Sequence, residues 1–128
     1  MVKVIPPRLV EPYLTGQRSV IAGYLYRAQD CALFRSPGDY YQALGLGYAG
    51  SDFVQDMPEL YLLRWLAIDM SSSLRPVPDG ALGRSLPEFF TLPVPIPVGA
   101  EIYRITQGTE ESVARYDGQV WLRPVGGP

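Results

Sequence analysis

The sequence predicts an α+β fold: mostly short antiparallel strands, one or two short helices and a C-terminal β-meander. Three observations predict it. Thirteen prolines and thirteen glycines punctuate the 128 residues every few positions, which disfavours long helices. The stretch 19–30, Ser-Val-Ile-Ala-Gly-Tyr-Leu-Tyr-Arg-Ala-Gln-Asp, is β-branched and aromatic and lacks proline, the signature of a strand. The last third reads as strands at 101–106, 111–116 and 120–123, separated by turns at Gly108 and Asp117-Gly118.

The elements follow in order. Residues 1–5 form a short edge strand stopped by Pro6-Pro7. Residues 11–18 read as a loop in which Tyr13 and Leu14 pack and Arg18 caps the next strand. That strand, 19–28, puts Ile21, Gly23, Leu25 and Arg27 on one face and Ala22, Tyr24, Tyr26 and Ala28 on the other. Asp30 is placed to N-cap a short turn through Phe34. Ser36-Pro37 is an N-cap followed by the favoured first-turn proline, and Asp39 suits the helix dipole, so 37–44 is a short helix ended by Gly45. The glycine-rich stretch 45–53 matches neither a Walker loop nor a dinucleotide fingerprint and reads as a loop.

Residues 57–70 are ambiguous. Asp56 and Glu59 fit a capping box, yet 60–68 is nearly solid apolar and suits a strand buried on both faces. The β-rich surroundings favour the strand. Residues 71–85 are a loop, 86–92 a short strand, and the alternating prolines of 93–99 impose a polyproline-like path that excludes a central strand. Residues 126–128 form a frayed tail.

The totals restrict the chemistry. A hydrophobic content of 47% at this length supports one domain, 1–128, with one real core. A net charge of −2 gives no basic footprint for nucleic acid. No apolar run approaches the roughly 20 residues that span a bilayer, and Pro6, Pro7, Arg8 and Glu11 break any signal-peptide core. A cytoplasmic protein is expected, or one exported without a cleaved signal. Cys31 is the sole cysteine, read as a small buried thiol, and histidine is absent. Histidine-based catalysis and His- or thiol-ligated zinc are therefore out of reach, no Asp-rich calcium loop is present, and no metal site is expected. Chemistry must rest on carboxylates, arginines, Lys3 or hydroxyls.

Three groups are candidates. Arg27 ends the row of Ile21 and Leu25 at the rim of a core, with Tyr24 and Tyr26 beside it. A guanidinium there meets either a neighbouring carboxylate or a ligand anion. Glu88, between Pro87 and Phe89-Phe90, is either a desolvated acid or a surface glutamate opening an edge strand. Glu101 is a rival acid. Ser51, in a Gly-Ser-Asp turn, and Ser71, Ser72 and Ser73 are loop serines that either form turns or bind a ligand.

Leu25-Tyr26-Arg27-Ala28 resembles the first motif of mono-ADP-ribosyltransferase toxins of the cholera-toxin type. Pro87-Glu88-Phe89-Phe90, the stretch 93–99 and Ile102-Tyr103-Arg104-Ile105 are similar to the end of that family, and necrotising NAD-glycohydrolase toxins of actinobacteria share a comparable proline-rich ending. The resemblance implies NAD as substrate, bound by Arg27 with Tyr24, Tyr26 or Trp65 stacking on a ring. Ser51 or one of Ser71, Ser72 and Ser73 would stand for the middle motif. Glu88 would be the catalytic acid opposing the oxocarbenium-like charge. The chain departs from the family in lacking a Ser-Thr-Ser motif and in carrying Leu86 where a Glu or Gln would precede the acid. The alternative from another class is a non-catalytic module, an immunity, inhibitor or scaffold protein. Its nine tyrosines and two tryptophans would meet a cognate protein.

Overall fold

A computed structural model describes residues 1–48, 50–66, 75–76 and 87–124, the pair 75–76 by its backbone alone. It has mostly antiparallel strands and two short helices, as expected. Eight strands are described: β1 Val2–Ile5, β2 Val20–Leu25, β3 Leu60–Arg64, β4 Arg75–Pro76, β5 Phe89–Pro95, β6 Glu101–Thr106, β7 Thr109–Tyr116 and β8 Trp121–Leu122. The helices are α1 Val10–Leu14 and α2 Pro37–Ala43. The strands form a five-stranded sheet in the order β1-β3-β6-β7-β8 and a three-stranded sheet in the order β2-β5-β4. Every pairing is antiparallel.

The ambiguous apolar stretch is a strand. β3 lies between β1 and β6, and both of its faces are covered. Leu60 and Leu62 pack into a cluster with Val2, Val4, Tyr26, Cys31, Tyr40 and Leu44. Leu63 and Trp65 pack on the opposite side with Ile5, Tyr13, Ile21, Leu25 and Ile102. A strand with a core on each side has no solvent face to show, so its sequence carries no polar alternation. The absence of that alternation is what makes helix and strand hard to separate. Residues 67–70 of the ambiguous stretch lie outside the described residues, as do the loop serines Ser71, Ser72 and Ser73 and the expected tail 126–128.

Local signals place α2 correctly. The Ser36 Oγ accepts from the Asp39 amide at 3.2 Å, and Pro37 opens the helix. The β6–β7–β8 meander also matches, although its first turn is only Gln107-Gly108, with β7 starting at Thr109. In the second turn the Asp117 Oδ1 accepts from the amides of Gln119 and Val120, which holds its carboxyl below the usual carboxylate range.

Four expectations are corrected. The stretch 11–18 contains α1, whose Tyr13 is fully buried, and Arg18 lies over the Tyr13 ring at 5.8 Å. The long strand ends at Leu25, after a bulge between Ile21 and Gly23 where Gly23 takes φ +95°. Asp30 does not cap a turn: a 3-10 turn begins at Ala28 with Arg27 at its N-cap and no side-chain cap bond. The proline run does not leave the sheet. β5 continues through Pro93 to Pro95, beyond Phe89 and Phe90, the two residues that β4 pairs. There it pairs β2, Pro95 opposite Val20 and Val94 opposite Ile21.

Besides the packing of Ile21 and Leu25 against Leu63 and Ile102, an isolated bridge links the two sheets. Val2 and Tyr26 exchange backbone hydrogen bonds, Val2 N to Tyr26 O at 2.7 Å and Tyr26 N to Val2 O at 2.9 Å. Among the described residues no helix is long and apolar enough to cross a membrane.

If β3 is the shared floor of both clusters, Leu63→Ala removes a fully buried side chain that neither face can collapse to replace. Urea unfolding should show a loss of about 2–5 kcal/mol. Ser36→Ala, which deletes only an N-cap bond, should cost about 1 kcal/mol.

Candidate functional site

The β2–β5 register pairs Leu25 with Phe89 and Tyr24 with Phe90. One step further along, Tyr26 meets Glu88, and the tyrosine hydroxyl donates to Glu88 Oε2 at 2.6 Å. This joins the two halves of the expected site across 62 positions of sequence. Both side chains are buried, Tyr26 at 3% exposure and Glu88 at 6%. Glu88 is therefore the desolvated acid of the two alternatives, not the surface glutamate.

Arg27 is placed by the residue that turns the chain away from the sheet. Its Nε donates to Asp30 Oδ2 at 2.8 Å and its Nη2 reaches Asp30 Oδ1 at 3.3 Å. Asp30 sits three residues on, at the inner end of a 3-10 turn, so the pair is local. The Arg27 side chain is 43% exposed and Asp30 is 17% exposed. Arg27 is thus a rim arginine whose fork is already filled by a carboxylate. It lies one residue from Tyr26, and so at the same end of the β2–β5 pair as Glu88.

Tyr24 is half exposed on the outer face of this sheet, edge-on to Phe90 with ring centroids 5.4 Å apart. Tyr26 is committed to the core and to Glu88, which leaves its ring buried. Trp65 is buried in the second cluster. Ser51 forms a turn: its Oγ accepts from the Phe53 amide at 3.0 Å, and its neighbour Asp52 pairs with Arg8 at 2.6 Å. Glu101, the rival acid, pairs with Arg64 in the β3–β6 register and lies in the other sheet. The structure joins Tyr26 to Glu88, with Tyr24 nearby in β2, and pairs Arg27 with Asp30. It ties Ser51 to its own turn.

Comparison of the chain with protein-family models, with curated proteins and with solved structures finds no match. The likeness to ADP-ribosyltransferase toxins rests on those short stretches of sequence alone.

Cys31 agrees with its sequence reading, and Lys3 escapes it. Cys31 is buried in the first cluster, and burial, reinforced by Asp30, pushes its thiol up to about 11. It is a protonated thiol at neutral pH, in line with its reading as a small buried group. Lys3, the sole lysine, lies on the face of β1 opposite Val2 and Val4. A side chain at Gly23 would come within 3.4 Å of its Nζ, so the ammonium sits against the β2 bulge. Burial first, and Arg18 second, lower the Lys3 pKa to about 8. A lysine between two valines gives the ordinary alternation of a half-exposed strand, and nothing in it announces a desolvated amine.

The lowered pKa fixes the sign of a pH effect. Below about pH 8 both folded and unfolded chains hold the Lys3 proton, and the folded state carries the full cost of a buried ammonium. Between about 8 and 10.5 the unfolded chain binds more protons, so this group's contribution to stability rises with pH. Lys3→Met should therefore stabilise the protein by about 1–3 kcal/mol at neutral pH. The gain over wild type should shrink across that window when both are unfolded in urea at a series of pH values. A gain independent of pH would show that the ammonium is solvated.

Proposed function

We propose that this chain consumes NAD, cleaving the bond between nicotinamide and ribose, with Arg27 binding the pyrophosphate and Glu88 acting as the acid. The observation that carries the reading is the contact between Tyr26 and Glu88. It sets the late acid against the residue that precedes the early arginine, which supports reading Arg27 and Glu88 as parts of one site.

The chemistry follows from charge. As the C1′–N bond breaks, nicotinamide leaves with the electron pair and ribose becomes cationic. A fixed carboxylate opposes that charge, and a buried one does so more strongly than a solvated one. Water or a nucleophile on a target protein then bonds to C1′ and releases a proton. The guanidinium fork of Arg27 matches pyrophosphate oxygens as it matches the Asp30 carboxylate. Binding requires Arg27 to exchange Asp30 for the ligand, and Glu88 to reach the ribose from beside the Tyr26 hydroxyl. Both are exchanges of side-chain partners at the rim of the sheet, and the half-exposed Arg27 makes the first of them inexpensive.

Calorimetry with NAD and a nicotinamide-release assay test this. Arg27→Ala should weaken NAD binding by tenfold or more, and Glu88→Gln should lower turnover by about 10²-fold while leaving binding nearly intact. Wild-type protein that neither binds NAD nor releases nicotinamide overturns the reading, as does release equal in wild type and both variants.

A second reading, a protein-binding module, is favoured by a different observation. Five of the fifteen aromatic residues are buried: Tyr13, Tyr26, Tyr40, Phe53 and Trp65. Among the described residues of the β2–β5 sheet the exposed large apolar side chains are Val20 at 37%, Tyr24 at 45% and Leu92 at 66%, with the partly buried Phe90 beside Tyr24. A face kept for a partner contributes little to the fold. The double variant Tyr24→Ser with Leu92→Ser should then change unfolding stability by no more than about 0.5 kcal/mol. A loss of several kcal/mol would make the face part of the core.

A further inference from the structure

Beneath the 3-10 turn at Ala28–Cys31 lies a partly enclosed cavity of about 200 Å³, lined among others by Val2, Cys31, Arg35, Tyr40, Arg64 and Glu110. At about 30 Å³ per molecule of liquid water it has room for several waters or one small ion. Neither Arg27 nor Glu88 lines it, so a role for this cavity is independent of the NAD reading.

Its polar groups are mostly donors. Arg64 projects from β3 and pairs through Nη2 with Glu110, while its guanidinium lies 4.3 Å from the centre of the Tyr103 ring. The Arg64 Nε is buried and has no hydrogen-bond partner among the described residues. A buried guanidinium N–H without an acceptor is costly, and native structures seldom leave one so. Arg35 brings a second guanidinium, whose Nη1 is taken by the carbonyls of Ala32 and Phe34 while Nε and Nη2 remain for a ligand. The Tyr40 hydroxyl is pushed up to about 12, chiefly by burial, so it stays protonated and able to donate. Against two arginines stands one acid, Glu110. A second cavity, of about 320 Å³, shares Phe34, Arg35 and Glu110 with the first, so the two adjoin.

We propose that this cavity is a binding site for a small oxyanion of phosphate size, held by Arg64, Arg35 and the Tyr40 hydroxyl, with Glu110 as the resident competitor for Arg64. An oxyanion neutralises the excess positive charge that two guanidiniums bring against one carboxylate. Oxyanions suit guanidinium donors because the fork and the oxygen spacing match.

Thermal unfolding of the full chain in increasing inorganic phosphate, with ionic strength held constant by sodium chloride, tests the site. Phosphate also stabilises proteins generically through exclusion from their surfaces, an effect that does not saturate and that every variant shares. The site predicts a saturating rise in Tm of about 2–5 °C in the wild type. Arg64→Gln should abolish the saturating part. Glu110→Gln, which removes the competing carboxylate, should reach saturation at several-fold lower phosphate even though it starts from a lower Tm. Should Arg64→Gln fail to fold, the Glu110→Gln titration decides alone. A response without saturation in both wild type and Glu110→Gln overturns the proposal, as does an Arg64→Gln protein that responds like wild type.

Discussion

Tyr26 is the residue at which the two sheets are fastened. Its backbone exchanges two hydrogen bonds with Val2 at the edge of the five-stranded sheet, and its hydroxyl donates to Glu88 at the start of the three-stranded one. Its ring meanwhile fills the first core cluster beside Val2, Leu60 and Leu62. One residue thus connects β1, β2 and the entry to β5. Leu25 immediately before it faces the other cluster with Leu63 and Ile102. This alternation of two buried neighbours lets a single short strand serve both cores. Asp30 takes up the next side chain, Arg27, and the chain then turns under β1. Much of the position of Arg27 and Glu88 follows from where Tyr26 is held.

Elements whose ends are set by their own side chains are legible in the sequence. Ser36, Pro37 and Asp39 identify α2 because capping is local chemistry. Asp117-Gly118 identifies the last hairpin because few residue pairs take that turn. Elements set by distant contacts are not legible. α1 is five residues long and lacks a side-chain cap, and its fully buried Tyr13 is what holds it. Isolated, such a helix would not form, so no local signal for it exists. The same holds for β5. Taken alone, three alternating prolines argue against a central strand. β5 nonetheless runs through Pro93 and Pro95 against β2, a pairing set by tertiary arrangement.

The candidate site divides along the same line. Face alternation in 19–28 sets Tyr24 and Tyr26 against Leu25, and Glu88 is buried beside Phe89-Phe90, as one of its two sequence readings has it. What alternation cannot supply is the partner of each. Arg27 bonds to a residue three positions on, because a 3-10 turn starts there in place of a longer strand. In sequence Tyr26 looks like a stacking ring, whereas its hydroxyl serves as a donor to the acid. Arg64 looks only like an interruption in an apolar run. Its position opposite Glu101, and its ion pair with Glu110, arise from the β3–β6–β7 register, which no spacing within β3 encodes.

The distribution of charge sets Glu88 apart. Arg8 with Asp52, Arg104 with Glu111 and Arg123 with Glu11 are exposed pairs, in which each partner is more than a third accessible to water. Such pairs are screened and contribute little to stability, and they serve mainly to pin loops and strand ends. Among the described residues Glu88 is the buried ionisable group of the carboxylate class, and Ser36 and Thr91 are its buried polar companions. Ser36 caps a helix, and the Thr91 hydroxyl donates to the carbonyl of Leu92 at 2.8 Å, so both are absorbed by local backbone. Glu88 is instead met by a tyrosine from another strand. Burying an acid costs free energy that a glutamine or leucine at the same place would not require, and folds tolerate such departures mainly where a site needs them. The burial of this one acid against a tyrosine hydroxyl is what directs the proposed chemistry to the β2–β5 end.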